Sequence, residues 1–402
     1  MRSGLRMEDL ESNNTEGGMS VNTAMDKDLG FLTEDEIESL MQRYYAGEAV
    51  SKLAKEYNIT VRASDLYKLF PPEVCRDFTC EYCGEFLVRK RLSKTRNKAP
   101  FDKRDLFCPT CGHRPFSEGC NCSHCTELRE AHQAALMAQI RETYARDEIP
   151  VEFDSLSFRE KVFLGAICRS LLKENLYEIM PYQDSDVILT PADEMTQELY
   201  TTLIYQRAIC VSPDNPVEAF NLESEDFPNR FYTYRTMYDL NLVFPSNKKD
   251  LFERILNPTY YSKENKEEAL ALWKEIAVAE CVEYLEYQLN KVGFQFSAGD
   301  KTHATFDGML DTFSVSQIFG IIWRAIADSS RLYLQGGISR RHAANSAIGA
   351  CERYAERAKI NKWDLVQYNR PHDLPQSDLS LFYYNRVLEI GEMGFRVPPT
   401  IV

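Results

Sequence analysis

Eight of the twelve cysteines in this 402-residue chain lie within one stretch of 51 residues. They are Cys75, Cys80, Cys83, Cys108, Cys111, Cys120, Cys122 and Cys125. Thiolates are soft ligands that suit zinc, and a C-x-x-C pair places two sulfurs on one tight turn facing one ion. Since a structural zinc site takes four ligands, eight clustered thiols predict two zinc ions.

The spacing divides these ligands between two sites. The first site is predicted from two C-x-x-C pairs with 24 residues between them, which are Cys80, Cys83, Cys108 and Cys111. The second site has three ligands close together in sequence, which are Cys120, Cys122 and Cys125. Its fourth ligand is most economically Cys75, because this residue lies just outside the first pair. Three histidines remain alternatives: His113, His124 and His132.

The cysteines are expected to be reduced. The sequence shows no secretory signal peptide, and so long a chain does not need disulfides to hold its fold. The other four cysteines are single and scattered, so we interpret them as small buried apolar residues in a reducing cytoplasm. The best candidate for a membrane span, residues 318–327, is short and contains Arg324, so no membrane partner is expected.

The charge balance limits how this chain can bind nucleic acid. Its formal net charge is −14, whereas a domain that follows phosphates over its entire surface is expected to be basic. Residues 1–150 hold 21 basic and 25 acidic side chains, a net −4, and residues 151–402 hold 26 and 36, a net −10. The excess of acidic residues therefore lies mainly in the C-terminal part.

Composition and helix signals predict five segments. With 44% apolar residues the chain can bury a large core, and its length predicts two or three domains. Residues 1–30 are polar and expected to be disordered. A helix-turn-helix over residues 31–72 and a two-zinc ribbon module over residues 73–126 follow. A helical linker covers residues 127–150, and residues 151–402 form a mostly helical effector or assembly domain.

Three short helices are predicted before the zinc module, over residues 33–46, 49–57 and 61–69. Thr33 and Glu36 have the spacing of a capping box at the start of the first helix, and Gly47 ends it. Thr60 is expected to cap the third helix, which Pro71 then ends.

The stretch from residue 45 to residue 59 resembles the helix-turn-helix of resolvases and sigma-like factors. It shares a Gly before the second helix, a Leu-Ala pair inside it, an aromatic residue near its end and a small apolar residue after the turn: Gly47, Leu53, Ala54, Tyr57 and Ile59. The resemblance implies that the third helix, with Arg62 and Lys68 on its exposed side, enters the major groove of DNA. Residues 31–72 carry five basic and seven acidic side chains. The alternative that this module binds protein instead of DNA therefore remains.

A basic segment, residues 88–104, separates the two halves of the first zinc site. It contains eight cations, which are Arg89, Lys90, Arg91, Lys94, Arg96, Lys98, Lys103 and Arg104. Only Asp102 opposes them, so the segment carries +7. We expect it to project from the ribbon as a hairpin and to neutralise several phosphates at once. Phe86, Phe101 and Phe107 flank it, and we interpret these residues as ribbon core.

The C-terminal region shows helix patterns but no motif that carries known chemistry. Helices are predicted over residues 157–173, 190–208, 266–291, 315–335 and 340–359, with short extended segments at 177–182 and 230–243. It has no Gly-rich phosphate loop, no G-x-S-x-G turn and no H-E-x-x-H pair. Glu280 and Glu283 share a helix face, where a carboxylate pair could bind a metal but is more often solvated.

The sequence therefore predicts a mainly α protein with a small zinc-ribbon module. Its leading function is binding of nucleic acid, DNA rather than RNA, by residues 33–125, with the C-terminal domain as effector or sensor in a regulatory, defence or mobile-element setting. One alternative is a zinc-stapled scaffold for protein–protein contacts, and a second is an enzyme with an unrecognised C-terminal active site. A homo-oligomer or a protein partner bound through the C-terminal domain is also compatible with the sequence.

Overall fold

The computed structural model describes residues 29–97, 100–145, 149–259 and 261–400. The chain divides into two compact units, Met1–Ala135 and Leu136–Val402. The mainly α fold is confirmed, since the described residues form twelve α-helices and two three-stranded antiparallel sheets. The tail predicted to be disordered, residues 1–30, lies outside the described residues except for its last two positions. Of these, Leu29 is buried among the first helices.

The first unit begins with two helices, α1 (Glu34–Tyr45) and α2 (Val50–Glu56). The predicted capping box starts α1, because the Glu36 amide donates to Thr33 Oγ1 at 3.3 Å and the Thr33 amide donates to Glu36 Oε2 at 2.8 Å. The buried side chains form one apolar core: Leu29, Ile37, Leu40, Tyr44, Leu53, Ile59, Leu66 and Phe70.

The predicted third helix over residues 61–69 is wrong in extent and type. The chain forms successive turns and only a short 3₁₀ helix, Leu66–Leu69. The backbone hydrogen bonds of this stretch span three residues; the Asp65 amide, for example, donates to the Arg62 carbonyl at 2.8 Å. Burial of Leu66 against α1 fixes this shape, and Pro71 disfavours helical geometry at the residue before it. The recognition helix implied by the resemblance is therefore not formed here.

The zinc module of the first unit is built on a small sheet. Its strands are β1 (Glu73–Thr79), β2 (Phe86–Arg89) and β3 (Leu106–Phe107), paired antiparallel in chain order. After the sheet, α3 (Ser123–Thr143) begins in the first unit and ends in the second. It starts four residues before position 127, where the helical linker is predicted to begin, and ends at Thr143.

The second unit is helical around one core. Its helices are α4 (Phe158–Leu171), α5 (Asp193–Tyr205), α6 (Lys248–Leu256), α7 (Lys266–Lys291), α8 (Asp300–Leu310), α9 (Val315–Leu334), α10 (Arg340–Ile360), α11 (Asp378–Phe382) and α12 (Met393–Arg396). A small sheet has the order β4 (Glu178–Ile179), β6 (Tyr238–Leu240), β5 (Ile209–Val211). The long helix α7 packs against α8 and α9, and α9 packs against α10.

The helices with strong sequence signals lie where the sequence predicts them. The helix α7 has the predicted bounds, and a capping box of Ser157 and Glu160 starts α4. The sequence did not predict α8, α11, α12 or a π-helix over Tyr383–Val387. These elements are short or lack a capping pattern, so the local sequence gives little indication of them.

A buried ion pair crosses the core of the second unit. Glu280 on α7 is only 1% exposed, and its Oε1 atom lies 2.5 Å from Arg370 Nη2. The Ser380 hydroxyl on α11 donates to the same oxygen at 2.5 Å, whereas Glu280 Oε2 is buried without a hydrogen-bond partner. The interpretation of Glu280 and Glu283 as a solvated face is therefore wrong for Glu280. Its charge is matched by a cation 90 residues away in the sequence.

We expect Arg370→Met to destabilise the second unit by about 3–5 kcal/mol, because it leaves the Glu280 carboxylate buried without a counter-charge. The three tryptophans, Trp273, Trp323 and Trp363, all lie in this unit, so urea unfolding followed by tryptophan fluorescence measures it. Arg331→Met is the matched control, because Arg331 and Asp328 form an exposed ion pair at 3.5 Å that is worth under about 1 kcal/mol. Equal decreases in stability for the two variants would contradict a stabilising role for the buried pair.

A second prediction concerns Glu283, whose pKa is raised to about 7 by burial and by the neighbouring Glu280 carboxylate. The folded state therefore holds this proton above the pH at which the unfolded chain releases it, so its contribution to stability falls as pH rises from about 4.5 to about 7. Because the carboxyl is only partly buried, which weakens the effect, we expect Glu283→Gln to gain about 1–2 kcal/mol at pH 8 and nothing at pH 4. Thermal unfolding at both pH values measures this, with the exposed Glu268→Gln on the same helix as control.

Candidate metal centres and basic surface

The first group of metal ligands joins the two ends of the zinc-module sheet. Cys80 and Cys83 lie in the turn between β1 and β2, and Cys108 and Cys111 lie in the turn after β3. The Sγ atoms are 3.2 Å apart for Cys83 and Cys108, 3.6 Å for Cys80 and Cys111, and 3.8 Å for Cys83 and Cys111. The group is the one predicted from the paired cysteines.

The two turns have the same backbone geometry. The Gly84 amide donates to the Cys80 carbonyl and the Gly112 amide donates to the Cys108 carbonyl, both at 2.9 Å. Both glycines have a left-handed φ, +72° and +71°, which a residue with a side chain rarely adopts. This shared turn directs both cysteines of a pair, and the amides around them, toward one point.

The second group of ligands contains His113 with the three remaining clustered cysteines. The His113 Nδ1 atom lies 3.6 Å from Cys120 Sγ, 3.6 Å from Cys122 Sγ and 3.3 Å from Cys125 Sγ. Cys120 and Cys122 lie in the loop before α3, and Cys125 lies in the first turn of that helix. All four side chains gather around one point, and His113 is 4% exposed.

Both groups fit zinc. A tetrahedral ion with Zn–S bonds of about 2.3 Å and a Zn–N bond of about 2.0 Å places its sulfurs about 3.8 Å apart and its nitrogen about 3.5 Å from each sulfur. The separations in the structure lie close to these values, except that the Cys83 and Cys108 sulfurs are closer together, at 3.2 Å. The donor sets, four thiolates and three thiolates with one imidazole, are both typical of structural zinc. The two groups of ligands therefore fit two zinc ions, as the sequence predicts.

Cys75 does not join the second group, and this prediction is wrong. Cys75 lies on β1, where it pairs with Leu87 on β2, and its Sγ atom approaches the Glu73 carbonyl at 4.0 Å. An extended strand covers about 3.3 Å per residue, so Cys75 lies far from the turn that begins at Cys80. His113 lies two residues after Cys111, the last ligand of the second C-x-x-C turn, and this position is the sequence signal that favours it over Cys75.

The other two histidine alternatives have different surroundings. The His124 ring stacks on Tyr82 with centroids 4.5 Å apart, and His132 is exposed on α3. Neither belongs to a ligand group among the described residues. The His113 ring contacts the same tyrosine edge-on at 4.6 Å, so Tyr82 shields the second centre on one side.

Backbone amides around the thiols favour their charged form. Burial alone would raise the pKa of Cys120, but the amides of Cys122 and Arg114 lower it to about 6. The Arg114 amide lies 3.2 Å from Cys120 Sγ, and the Cys125 amide lies 3.4 Å from Cys122 Sγ. On the outer side of the imidazole, His113 Nε2 lies 3.1 Å from Glu81 Oε1. A carboxylate beside the outer ring nitrogen is a common arrangement around a metal-bound histidine.

The two centres share one residue. The His113 carbonyl accepts from the Cys108 amide at 2.8 Å and so closes the second turn of the first centre. The imidazole of the same residue supplies Nδ1 to the second centre. His113 therefore connects the two centres directly.

The basic segment connects β2 and β3, which pair antiparallel, and its first part packs on the helical part of the first unit. The Tyr45 hydroxyl donates to the Leu92 carbonyl at 2.7 Å, and the Lys94 amide donates to the Tyr44 hydroxyl at 3.3 Å. The Lys94 Nζ atom donates to the Glu48 carbonyl at 3.2 Å. Residues 95–97, 100, 101, 103 and 104 of the segment are exposed.

The predicted nucleic-acid-binding residues fall into two sets. One set contacts the chain itself: Arg89 with Glu73 at 2.5 Å, Arg91 with the Pro71 carbonyl at 3.2 Å, Lys94 as described, Arg104 with Asp102 at 2.7 Å and Lys68 with Asp65 at 2.6 Å. The other set is exposed and forms no ion pair within the described part of the chain: Arg62, Lys90, Arg96 and Lys103. Lys98 lies outside the described residues.

The scattered cysteines are buried as expected for three of the four, Cys168, Cys281 and Cys351, whereas Cys210 is half-buried. Within the described ranges, no helix combines the length and the apolar character needed to cross a membrane. We found no family model, no curated protein and no solved structure that matches this chain. The resemblance to resolvase and sigma-like modules stays a prediction.

Metal analysis of the purified full-length chain should return two zinc ions per molecule. We expect His113→Ala to remove about one, because it deletes a ligand of the second centre, and Cys108→Ser to remove at least one and unfold the ribbon. Cys75→Ser is the matched control and should keep both ions, since this thiol belongs to neither group. Loss of one ion from the Cys75 variant, with both ions retained by His113→Ala, would assign the fourth ligand to Cys75.

Proposed function

We propose that this chain is a nucleic-acid-binding zinc protein, with DNA as the ligand and the first unit as the binding module. The two zinc centres have a structural role, because each has four protein ligands and leaves no open position for a substrate. The second unit is assigned the effector, sensor or assembly role. Reduced thiol ligands suit a cytoplasmic protein.

The observation that supports this proposal is the placement of the +7 segment. In a chain of net −14, eight cations within residues 88–104 meet a single acidic side chain of the same segment. Contacts with α1, with the Pro71 carbonyl and with the zinc ribbon hold the backbone of the segment in place. A segment whose backbone is held before binding loses less conformational freedom when its exposed cations contact phosphates, so binding is tighter.

The exposed cations are assigned to the phosphates, and the internally bonded ones to the position of the segment. Lys90, Arg96 and Lys103 are exposed and make no ion pair with a described carboxylate. Arg89, Arg91 and Lys94 bond to the chain and keep the segment on the helices. Binding of this kind is directed at the backbone of the nucleic acid and has little dependence on base sequence.

Base-specific readout has less support than phosphate binding. Residues 61–69 do not form the predicted recognition helix, and the Lys68 ammonium is bonded to Asp65 at 2.6 Å. Arg62 is exposed and remains the one predicted base-reading residue without a described ion-pair partner. We therefore expect sequence preference, where it exists, to depend on Arg62 more than on Lys68.

Neutralising Lys90, Arg96 and Lys103 together to Gln should weaken binding of a 20-base-pair duplex DNA at every sequence. The slope of log affinity against log salt should flatten by nearly one unit for each phosphate that is no longer neutralised, so by up to about three units. Fluorescence anisotropy at several salt concentrations measures both effects on the full chain. Zinc content should stay at two ions, since none of these residues is a ligand.

The matched control is Lys249→Gln, Arg341→Gln and Lys359→Gln, which removes three exposed cations from the second unit. It makes the same change in net charge, so a long-range charge effect would appear equally in both variants. If the variant of the basic segment binds with the affinity and the salt slope of the parent, the nucleic-acid proposal fails. The zinc-stapled scaffold would then be the leading function.

A further inference from the structure

Three phenylalanine rings form a cluster on the surface of the zinc module. Phe78 on β1 lies between the other two: its ring centroid is 6.3 Å from that of Phe101, with the planes 15° apart, and 5.6 Å from that of Phe116, edge-on. Phe101 is 48% exposed and Phe116 is 40% exposed. We call Phe78, Phe101 and Phe116 the aromatic cluster.

The aromatic cluster is not the core of the ribbon. The buried centre of the module consists of Leu87, Leu106, Cys80 and Cys108, with Phe78 only partly buried against it. The interpretation of Phe101 as ribbon core is therefore wrong, because the metal centres and two leucines already fill that space. Two large apolar rings next to each other on a surface are typical of a binding site.

Cations from the basic segment lie directly over these rings. The Arg89 guanidinium is 5.1 Å from the centroid of Phe101, and the Lys103 ammonium is 5.2 Å from Phe78 and 5.8 Å from Phe116. Lys103 belongs to the set assigned to phosphates, so the cluster and the proposed phosphate-binding residues share one surface. Phe101 and Phe116 stay 48% and 40% exposed beside these cations, so ring surface and positive charge are both accessible to a ligand.

The combination of exposed aromatic rings and cations matches single-stranded nucleic acid. In a duplex the faces of the bases are covered by their neighbours, so a protein ring cannot stack on them. In a single strand the bases can turn outward and stack on aromatic side chains, while the phosphates between them meet cations. Stacking uses the π-face that every base has, so it tolerates any sequence.

We propose that the aromatic cluster binds unpaired bases, so that the first unit prefers single-stranded nucleic acid to duplex. This inference rests on the proposed nucleic-acid function and specifies its ligand. Phe101 and Phe116 stack on bases, and Lys103, together with the exposed cations of the basic segment, binds the phosphates on either side. The same chemistry fits single-stranded DNA and single-stranded RNA.

The test uses the full-length chain and three 20-nucleotide probes: single-stranded DNA, its duplex, and single-stranded RNA of the same sequence. The parent should bind a single strand more tightly than the duplex. In Phe101→Leu with Phe116→Leu the rings are removed while apolar side chains remain, and single-strand affinity should fall by about 10-fold to 100-fold. Duplex affinity should change by less than about 2-fold.

Two variants separate stacking from folding. Phe101→Tyr with Phe116→Tyr keeps both rings and should retain single-strand affinity. Phe31→Leu removes a 60% exposed phenylalanine of the helical part and should change nothing. All variants should keep two zinc ions. The fluorescence of a 2-aminopurine base placed in the single strand should change on binding to the parent and not with the double Leu variant, since its emission reports how the base is stacked.

The outcomes distinguish this inference from the proposed function. Equal binding of single strand and duplex, or a double Leu variant that binds the single strand as the parent does, would overturn the aromatic site and leave phosphate binding intact. Binding of neither form by the parent would overturn both proposals. A preference for single-stranded RNA over single-stranded DNA would support the stacking site and correct the choice of DNA.

Discussion

Metal coordination is the interaction on which the first unit depends. In the zinc module, the fully buried apolar centre is little more than Leu87 and Leu106 between Cys80 and Cys108. A module of this size cannot offset the conformational entropy of folding with so small a core, so bonds to metal must supply the difference. His113 joins the two centres, because its carbonyl closes a turn of the first and its imidazole completes the second. The sheet, the loop before α3 and the start of α3 are therefore positioned by one connected set of ligands.

The fold of the zinc module also decides where the positive charge of the basic segment lies. The sheet holds the two ends of the basic segment, and α1 and the loop after it contact residues 92–94. Arg91 and Lys94 bond to backbone carbonyls there. Lys103, which has no such bond, is left on the surface beside the Phe78 and Phe116 rings. Cations and rings on one surface are a means of binding phosphates and bases together. This arrangement is the basis of the proposal that the first unit binds nucleic acid.

The second unit depends on an apolar core and includes one polar exception. Glu280 lies in the middle of α7, is fully buried, and is paired with Arg370 and Ser380. Such a pair adds little net stability compared with apolar residues, but it strongly disfavours any packing that separates the two charges. It therefore fixes how the segment around α11 lies against α7. The second carboxyl, Glu283, experiences the charge of the first, which contributes to its raised pKa.

The sequence by itself determined the features that depend on near neighbours in the chain. The C-x-x-C spacing identified seven of the eight ligands and the number of ions, capping boxes placed the starts of α1 and α4, and long apolar patterns placed α7, α9 and α10.

Only the tertiary structure decided the features that depend on distant residues. It put His113 in place of Cys75, because a strand separates Cys75 from the site. It replaced the predicted third helix by turns, because burial of Leu66 outweighed local helix preference. It also buried Glu280 against residues about a hundred positions away and left Phe101 exposed. Spacing and propensity act over a few residues, whereas burial is set by whichever segments meet in the folded chain.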